Sequence, residues 1–235
     1  MKTFVIFGLG RSGSTLLASL LNSQSTIHCD GELFNTVHWA AWKHALLAAL
    51  QRHPKIYLNF RRRIIHLVRH SQVYGFKLQL EQVIHTDQVL PELVREGWRI
   101  LYLRRLSIFD AVMSNLVAQQ THRWHTHAGR EQPHGEVIVL DPQKFMDECS
   151  VRHRRSARCD AIVNPLPHLP LSYEDDLHSS QQWHSTVARI CDYVGAAPPT
   201  TVSSTLVKTW NRPYRELVGN YDQLLELFRE WENHG

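Results

Sequence analysis

Phe4-Val5-Ile6-Phe7-Gly8-Leu9-Gly10-Arg11-Ser12-Gly13-Ser14-Thr15-Leu16-Leu17-Ala18-Ser19-Leu20-Leu21 decides how the rest of the chain is read. A short apolar run breaks into a glycine-rich turn carrying one arginine and three hydroxyls, and leucines with alanine then resume at helical spacing. The order is strand, loop, helix. A helix start leaves backbone N–H groups unpaired and gathers partial positive charge, while glycines let the backbone close around an anion. A phosphate-like group is the expected guest.

Two templates share these letters. Gly8, Gly10 and Gly13 fit the G-x-G-x-x-G of dinucleotide sites, and Gly8, Gly13 and Thr15 fit the frame of a nucleotide triphosphate loop. The triphosphate frame wants a lysine after the last glycine, where this chain has Ser14, so an ATPase or kinase would lose its main charge contact. The cation is Arg11, inside the loop. The dinucleotide frame wants an acidic residue roughly 20 residues on, and Asp30 and Glu32 keep that alternative open.

With 235 residues, 43% of them hydrophobic, the chain can bury one sizeable core, and a single domain over 1–235 is expected. A net charge of +4 with 16 histidines suits an anionic ligand without calling for nucleic acid. Lys2 precedes an apolar stretch too short for a signal peptide, and no run approaches the roughly 20 apolar residues of a membrane helix, so the expectation is cytoplasmic residence with no membrane partner. Cys29, Cys149, Cys159 and Cys191 form no C-x-x-C, which favours reduced, buried thiols over disulfides or zinc.

Along the chain, Ser25 to Asp30 reads as a short strand or loop, followed by Gly31-Glu32. Residues 37–70 read as helical, with Arg61, Arg62, Arg63, His66, Arg69 and His70 on a basic face. Val73 to Leu80 is a core strand whose Lys77 lies near its carboxyl end. From Trp98 a buried strand runs to the two arginines Arg104 and Arg105; Ser107 caps the helix that follows, and Ser114 sits two turns into it. Arginines at a strand's carboxyl end call for an anion or for solvent, and their planar fork grips phosphate.

Further on, Gly135 to Leu140 is a short strand and Asp141-Pro142 opens a long helix through Arg158. Leu169 to Leu177 is a last strand leading to a turn, where Asp175 and Asp176 cap and charge a helix start, and a helix over Gln181 to Val194 ends before Gly195. The basic residues from Arg152 to Arg158 have no aromatic interleaving, so they read as solvated surface and not as a nucleic-acid contact. His122, His125 and His127 lack the pair spacing and carboxylate shell of a metal site, and a polar lid over an acceptor fits them better. Strands alternating with amphipathic helices predict a three-layer α/β/α fold with a mostly parallel sheet.

Arg11-Ser12-Gly13-Ser14-Thr15 resembles the R-S-G-S-T/S loop of sulfotransferases that use 3′-phosphoadenosine 5′-phosphosulfate (PAPS), a family with a P-loop nucleotide-hydrolase-like fold. The resemblance implies that Arg11, Ser12, Gly13, Ser14 and Thr15 hold the 5′-phosphosulfate, with Arg11 also neutralising charge on the bridging oxygen. It implies that Arg104 or Arg105, with Ser114, holds the 3′-phosphate. The family's serine commonly lies eight residues after the arginine, whereas Ser114 is nine after Arg105 and ten after Arg104, so both arginines stay open. Gly31-Glu32-Leu33-Phe34 is similar to the passage that supplies the family's general base, which makes Glu32 the candidate. Lys208 would close over the nucleotide.

The activity so implied is sulfuryl transfer from PAPS to a hydroxyl, less readily an amine, of a small molecule or carbohydrate. It leaves adenosine 3′,5′-bisphosphate (PAP) and needs no metal. The alternatives are a nucleotide kinase or NTPase, and a nucleotide-binding module without catalysis.

Overall fold

Strand β1 (Lys2–Gly8) is buried at every residue from Thr3 onward, as befits a strand with neighbours on both sides and helices on both faces. The computed structural model describes residues 1–35, 54–69, 71–83, 85–124, 126–127, 137–207 and 213–234. Helix α1 (Ser14–Asn22) follows the glycine turn, then come β2 (Ile27–Glu32), α2 (Pro54–Arg69), β3 (Val73–Gln79), α3 (Thr86–Arg95) and β4 (Trp98–Arg104). The remaining elements are α4 (Ile108–Thr121), β5 (Thr126–His127), α5 (Pro142–Val163), β6 (His168–Ser172), α6 (Tyr173–Asp176), α7 (Ser180–Val194), β7 (Leu206–Val207), α8 (Tyr214–Leu217) and α9 (Tyr221–His234). The helical expectation for 37–53 falls outside the described residues.

The chain divides into two compact units. The first comprises Met1–Arg104 and Arg158–Ser204. Its sheet has the order β2-β3-β1-β4-β6, and every pairing is parallel. Successive side chains on a strand alternate between faces. One face sets Phe7, Tyr74, Phe76, Trp98 and Tyr102 against Leu58 of α2, Leu90 of α3 and Val163 of α5. On the other face Phe4, Ile6, Leu101 and Leu103 pack on Leu17 and Leu20 of α1 and on Ile190 of α7. These are the expected three layers, with β1 at the centre and a change of winding direction beside it, which is where sheets of this kind keep their ligand crevice.

The second unit, Arg105–Ala157 with Thr205–Gly235, has its own aromatic core of Phe109, Phe145 and Phe228, extended by Trp231. It also contains the antiparallel pair β5–β7. Ser107 caps α4 as expected, its hydroxyl accepting from the Asp110 N–H at 3.1 Å.

One open alternative is decided and three local expectations are corrected. The segment left as strand or loop before Asp30 is a strand that runs on to Glu32. The strand expected over Gly135 to Leu140 is, within the described residues 137–140, one bridge between Ile138 and Val218; Val137 and Val139 face solvent, so the alternating apolar letters have no second strand to pair with. Helix α5 continues past Arg158 to Val163 because Cys159 and Val163, one turn apart, are buried in the first core. The last strand ends at Ser172 and not at Leu177, because Ser172, in place of Asp175 or Asp176, caps α6, its hydroxyl accepting from the Asp175 N–H, while the buried Asp176 braces Thr186 and Arg189 of α7.

All four cysteines are free and buried. No described helix is long and apolar enough to cross a membrane.

Candidate active site

The turn between β1 and α1 is shaped by backbone constraints that its glycines meet. A Cβ on Gly8 would collide with the Leu103 carbonyl oxygen of β4, so β1 and β4 meet at their carboxyl ends only with glycine there. Gly13, with φ 90°, sits in the left-handed region and forms the N-cap of α1; a Cβ there would also meet Tyr173 Cδ2 at 2.7 Å. Arg11 is left-handed too, with φ 62°, a conformation uncommon outside glycine and costly enough to mark the loop as a shaped site.

Gly13 brings no side chain to cap α1, and the helix's first turn carries no acidic residue, so among the described residues the positive helix end suits an anion. The three hydroxyls divide their work. Ser12 is buried and donates to the Leu9 carbonyl at 2.8 Å, bracing the turn from within. Ser14 opens the helix. Thr15 Oγ1 accepts from Lys77 Nζ at 2.9 Å, so a lysine from strand β3 stands beside the helix start although none follows Gly13 in sequence.

Glu32 reaches this loop because the β2–β3 register slips between Asp30 and Glu32, pairing Asp30 with Phe76 and Glu32 with Lys77. In an unbroken strand, residues two apart share a face; the slip re-aims the second side chain. Asp30 therefore stays on the α2 side, where it accepts two-pronged bonds from Arg61 (2.8–3.2 Å), one from the Tyr74 hydroxyl (2.8 Å) and one from the His28 ring (3.0 Å). A carboxylate so engaged leaves little for a ribose, which removes support from the dinucleotide alternative.

Glu32 faces α1 instead. Its Oε1 accepts from Lys77 Nζ at 3.2 Å and Gln79 Nε2 at 2.9 Å; its Oε2 accepts from Asn35 Nδ2 at 2.8 Å and Gln82 Nε2 at 2.9 Å. Burial alone would push the Glu32 carboxyl up, but the Lys77 charge and the surrounding hydrogen bonds outweigh it and hold the group below its ordinary range. Lys77 itself is 6% exposed on an interior strand, so it is no solubilising edge lysine.

At the end of β4, Arg104 lies one residue past Leu103, the partner of Gly8, and thus at the same edge of the sheet as the loop. Its guanidinium is half-exposed, 3.5 Å from Asp160 Oδ1 and stacked over the Tyr102 ring at 5.6 Å. The Tyr102 hydroxyl donates to the same Asp160 oxygen at 2.9 Å. Arg105 and Ser114 belong to the second unit, Arg105 half-buried after β4 and Ser114 buried within α4. Lys208 and His125 lie outside the described residues. His122 closes α4 with φ 55°, and His127 contributes backbone to β5. Among the described residues no group of histidine, cysteine, aspartate and glutamate is arranged to hold a metal ion.

The structure thus brings Thr15, Lys77 and Glu32 into one hydrogen-bonded chain. Sequence reasoning missed Gln79, Gln82 and Asn35 around the carboxylate; only Gln79, two residues beyond Lys77 at the strand end, carried a positional signal.

The fold is similar to that of a sulfotransferase from Alicyclobacillus acidocaldarius, with a TM-score of 0.54, 13% sequence identity, and coverage of 98% of this chain and 92% of that one. No curated protein matches the sequence. The model of the Stf0 sulphotransferase family matches residues 3–137, which include the anion loop, Glu32, Lys77 and Arg104. With more than half of its length so matched, the chain belongs to the Stf0 sulphotransferase family, whose chemistry is sulfuryl transfer.

Proposed function

We propose that residues 1–235 act as one sulfotransferase-like domain, cytoplasmic, moving a sulfuryl group from PAPS to a hydroxyl, less readily an amine, of a small molecule or carbohydrate. The observation that carries this reading is the uncapped start of α1 with Arg11 in its loop and a carboxylate, Glu32, tied to the same helix start through Lys77 and Thr15.

In the proposed reaction Arg11 to Thr15 hold the 5′-phosphosulfate. The acceptor oxygen bonds to sulfur as the bond from sulfur to the 5′-phosphate oxygen breaks, and the acceptor proton passes to Glu32. The electron pair of the broken bond stays with the phosphate, where Arg11 and the α1 N–H groups meet it. Little covalent work falls to the protein; alignment and field do most of it. The donor set of arginine, lysine and backbone N–H supplies positive charge without a metal, and no nucleic-acid partner is invoked.

The 3′-phosphate falls to Arg104 or Arg105 with Ser114, and Lys208 is proposed to cover the nucleotide. Arg104 is held by Asp160 and Tyr102 at the carboxyl end of β4, where a planar guanidinium can still offer its remaining N–H groups to a phosphate. A hydrogen bond to an ionised group is worth about 1.5–3 kcal/mol, so one arginine can discriminate tenfold to a hundredfold.

Calorimetry tests this directly: PAP is expected to bind far better than AMP, ATP or NAD, with most of that preference lost in Arg104→Ala or in Arg105→Ala, whichever holds the 3′-phosphate. Equal affinities for the four nucleotides would overturn the donor assignment.

A further inference from the structure

A carboxylate offers about four lone-pair directions, and Glu32 has a donor on each: Lys77 and Gln79 on Oε1, Asn35 and Gln82 on Oε2. A general base must accept the acceptor's proton along one of these directions from within about 2.6–3.2 Å. An acceptor hydroxyl can therefore reach Glu32 only when one of the four donors lets go. The three carboxamides are neutral, so an arriving anion finds no charge on them to draw. Lys77 differs. Its Nζ already touches Thr15 Oγ1 at the start of α1, and an anion seated there offers it a charge-assisted bond in exchange.

We propose that Lys77 is a donor-sensing latch on the base: it closes over Glu32 Oε1 until the anionic end of the donor draws its Nζ toward α1 and opens that oxygen to the acceptor hydroxyl. The proposal rests on the reading of the loop as the 5′ anion seat and of Glu32 as the base. Lys77 acts on Glu32 by position, and the same movement takes away the charge that keeps a proton off the carboxylate. Donor must then precede acceptor, and Glu32 becomes a stronger base only once something is there to transfer.

Among the described residues the charged and titratable surroundings are as follows. On β2, the Cys29 thiol is buried on the same face as Lys77 and pushed up by that burial, while Asp30 lies on the opposite face against Arg61, Tyr74 and His28. Arg11 is the loop's own cation, and α1 places no acid in its first turn.

The test is carboxyl-carbon NMR of enzyme labelled at glutamate, with the Glu32 signal assigned through Glu32→Gln and titrated with and without saturating PAP. Moving a cation away from a buried carboxylate shifts its pKa by about one pH unit or more. PAP is expected to raise the Glu32 pKa by that amount in the native enzyme and by far less in Lys77→Met, where no latch exists to release. Lys77→Gln, which keeps a donor without the charge, gives the same reading if the methionine variant does not fold. An equal rise in native and Lys77→Met enzyme would assign the shift to the nucleotide's own charge and overturn the latch, as would PAP binding that leaves Glu32 unmoved; in both cases the sulfotransferase reading stands. Failure of PAP to bind at all would remove that reading and the latch with it.

Discussion

Asp30 and Glu32 stand two residues apart on one strand, each ringed by hydrogen-bond donors and each held below the ordinary carboxylate range, yet they serve opposite faces of the sheet. For Asp30, burial pulls upward and is outweighed by bonds from Arg61, Tyr74 and His28, groups fixed on α2, β3 and β2. Those partners tie one element to another. Glu32 has partners of similar number, but one of them, Lys77, has its other contact in the anion loop. A depressed carboxyl by itself does not distinguish structural from chemical duty; where its donors lead does.

The widest separation between the two acids is expected in turnover. Glu32→Gln should lower sulfuryl transfer by about 10²–10⁴-fold while PAP binding measured by calorimetry is retained. Unchanged turnover would erase the contrast and move the base role elsewhere. Asp30→Ala should do the reverse, costing about 3 kcal/mol of stability in urea unfolding by stranding Arg61, with the specific activity of the folded fraction near native. Because both folded carboxyls titrate below their ordinary values, their contribution to stability is whole above about pH 4 and is lost as pH falls through the depressed values. Asp30→Asn should accordingly flatten the fall of the urea midpoint on acidification. The smallest effect is expected at Gly31, which has an ordinary backbone and open space where a methyl group would project, so that Gly31→Ala stays within about 0.5 kcal/mol of native. A large loss there would mean that the slip depends on glycine and not on the pairing of Glu32 with Lys77.

Much of the first unit was legible in the sequence. The glycine spacing announces the loop and the apolar runs announce β1, β3 and β4; in the second unit, Ser107 announces the start of α4. The slip at Gly31 was not legible, because register is set by neighbouring strands and leaves no local period. The company of Glu32 was hidden for the same reason: Gln79, Gln82 and Asn35 are polar letters near strand ends, where many polar residues are merely solvated. The letters of Val137-Ile138-Val139 misled in the other direction, since alternation promises a strand only where another strand waits beside it. Asp160, the partner of Arg104 and Tyr102, sits in a helix stretch dominated by arginines and carried no signal.

Tyr173 lies directly behind Gly13, so the depth of the anion seat has a backstop made by a distant part of the chain. That ring opens the short turn capped by Ser172 and anchored through Asp176 to Thr186 and Arg189. Under the proposed reading, exchanges along this rear support would retune how snugly the nucleotide fits without altering any group proposed to meet it, a control on donor affinity remote from the chemistry.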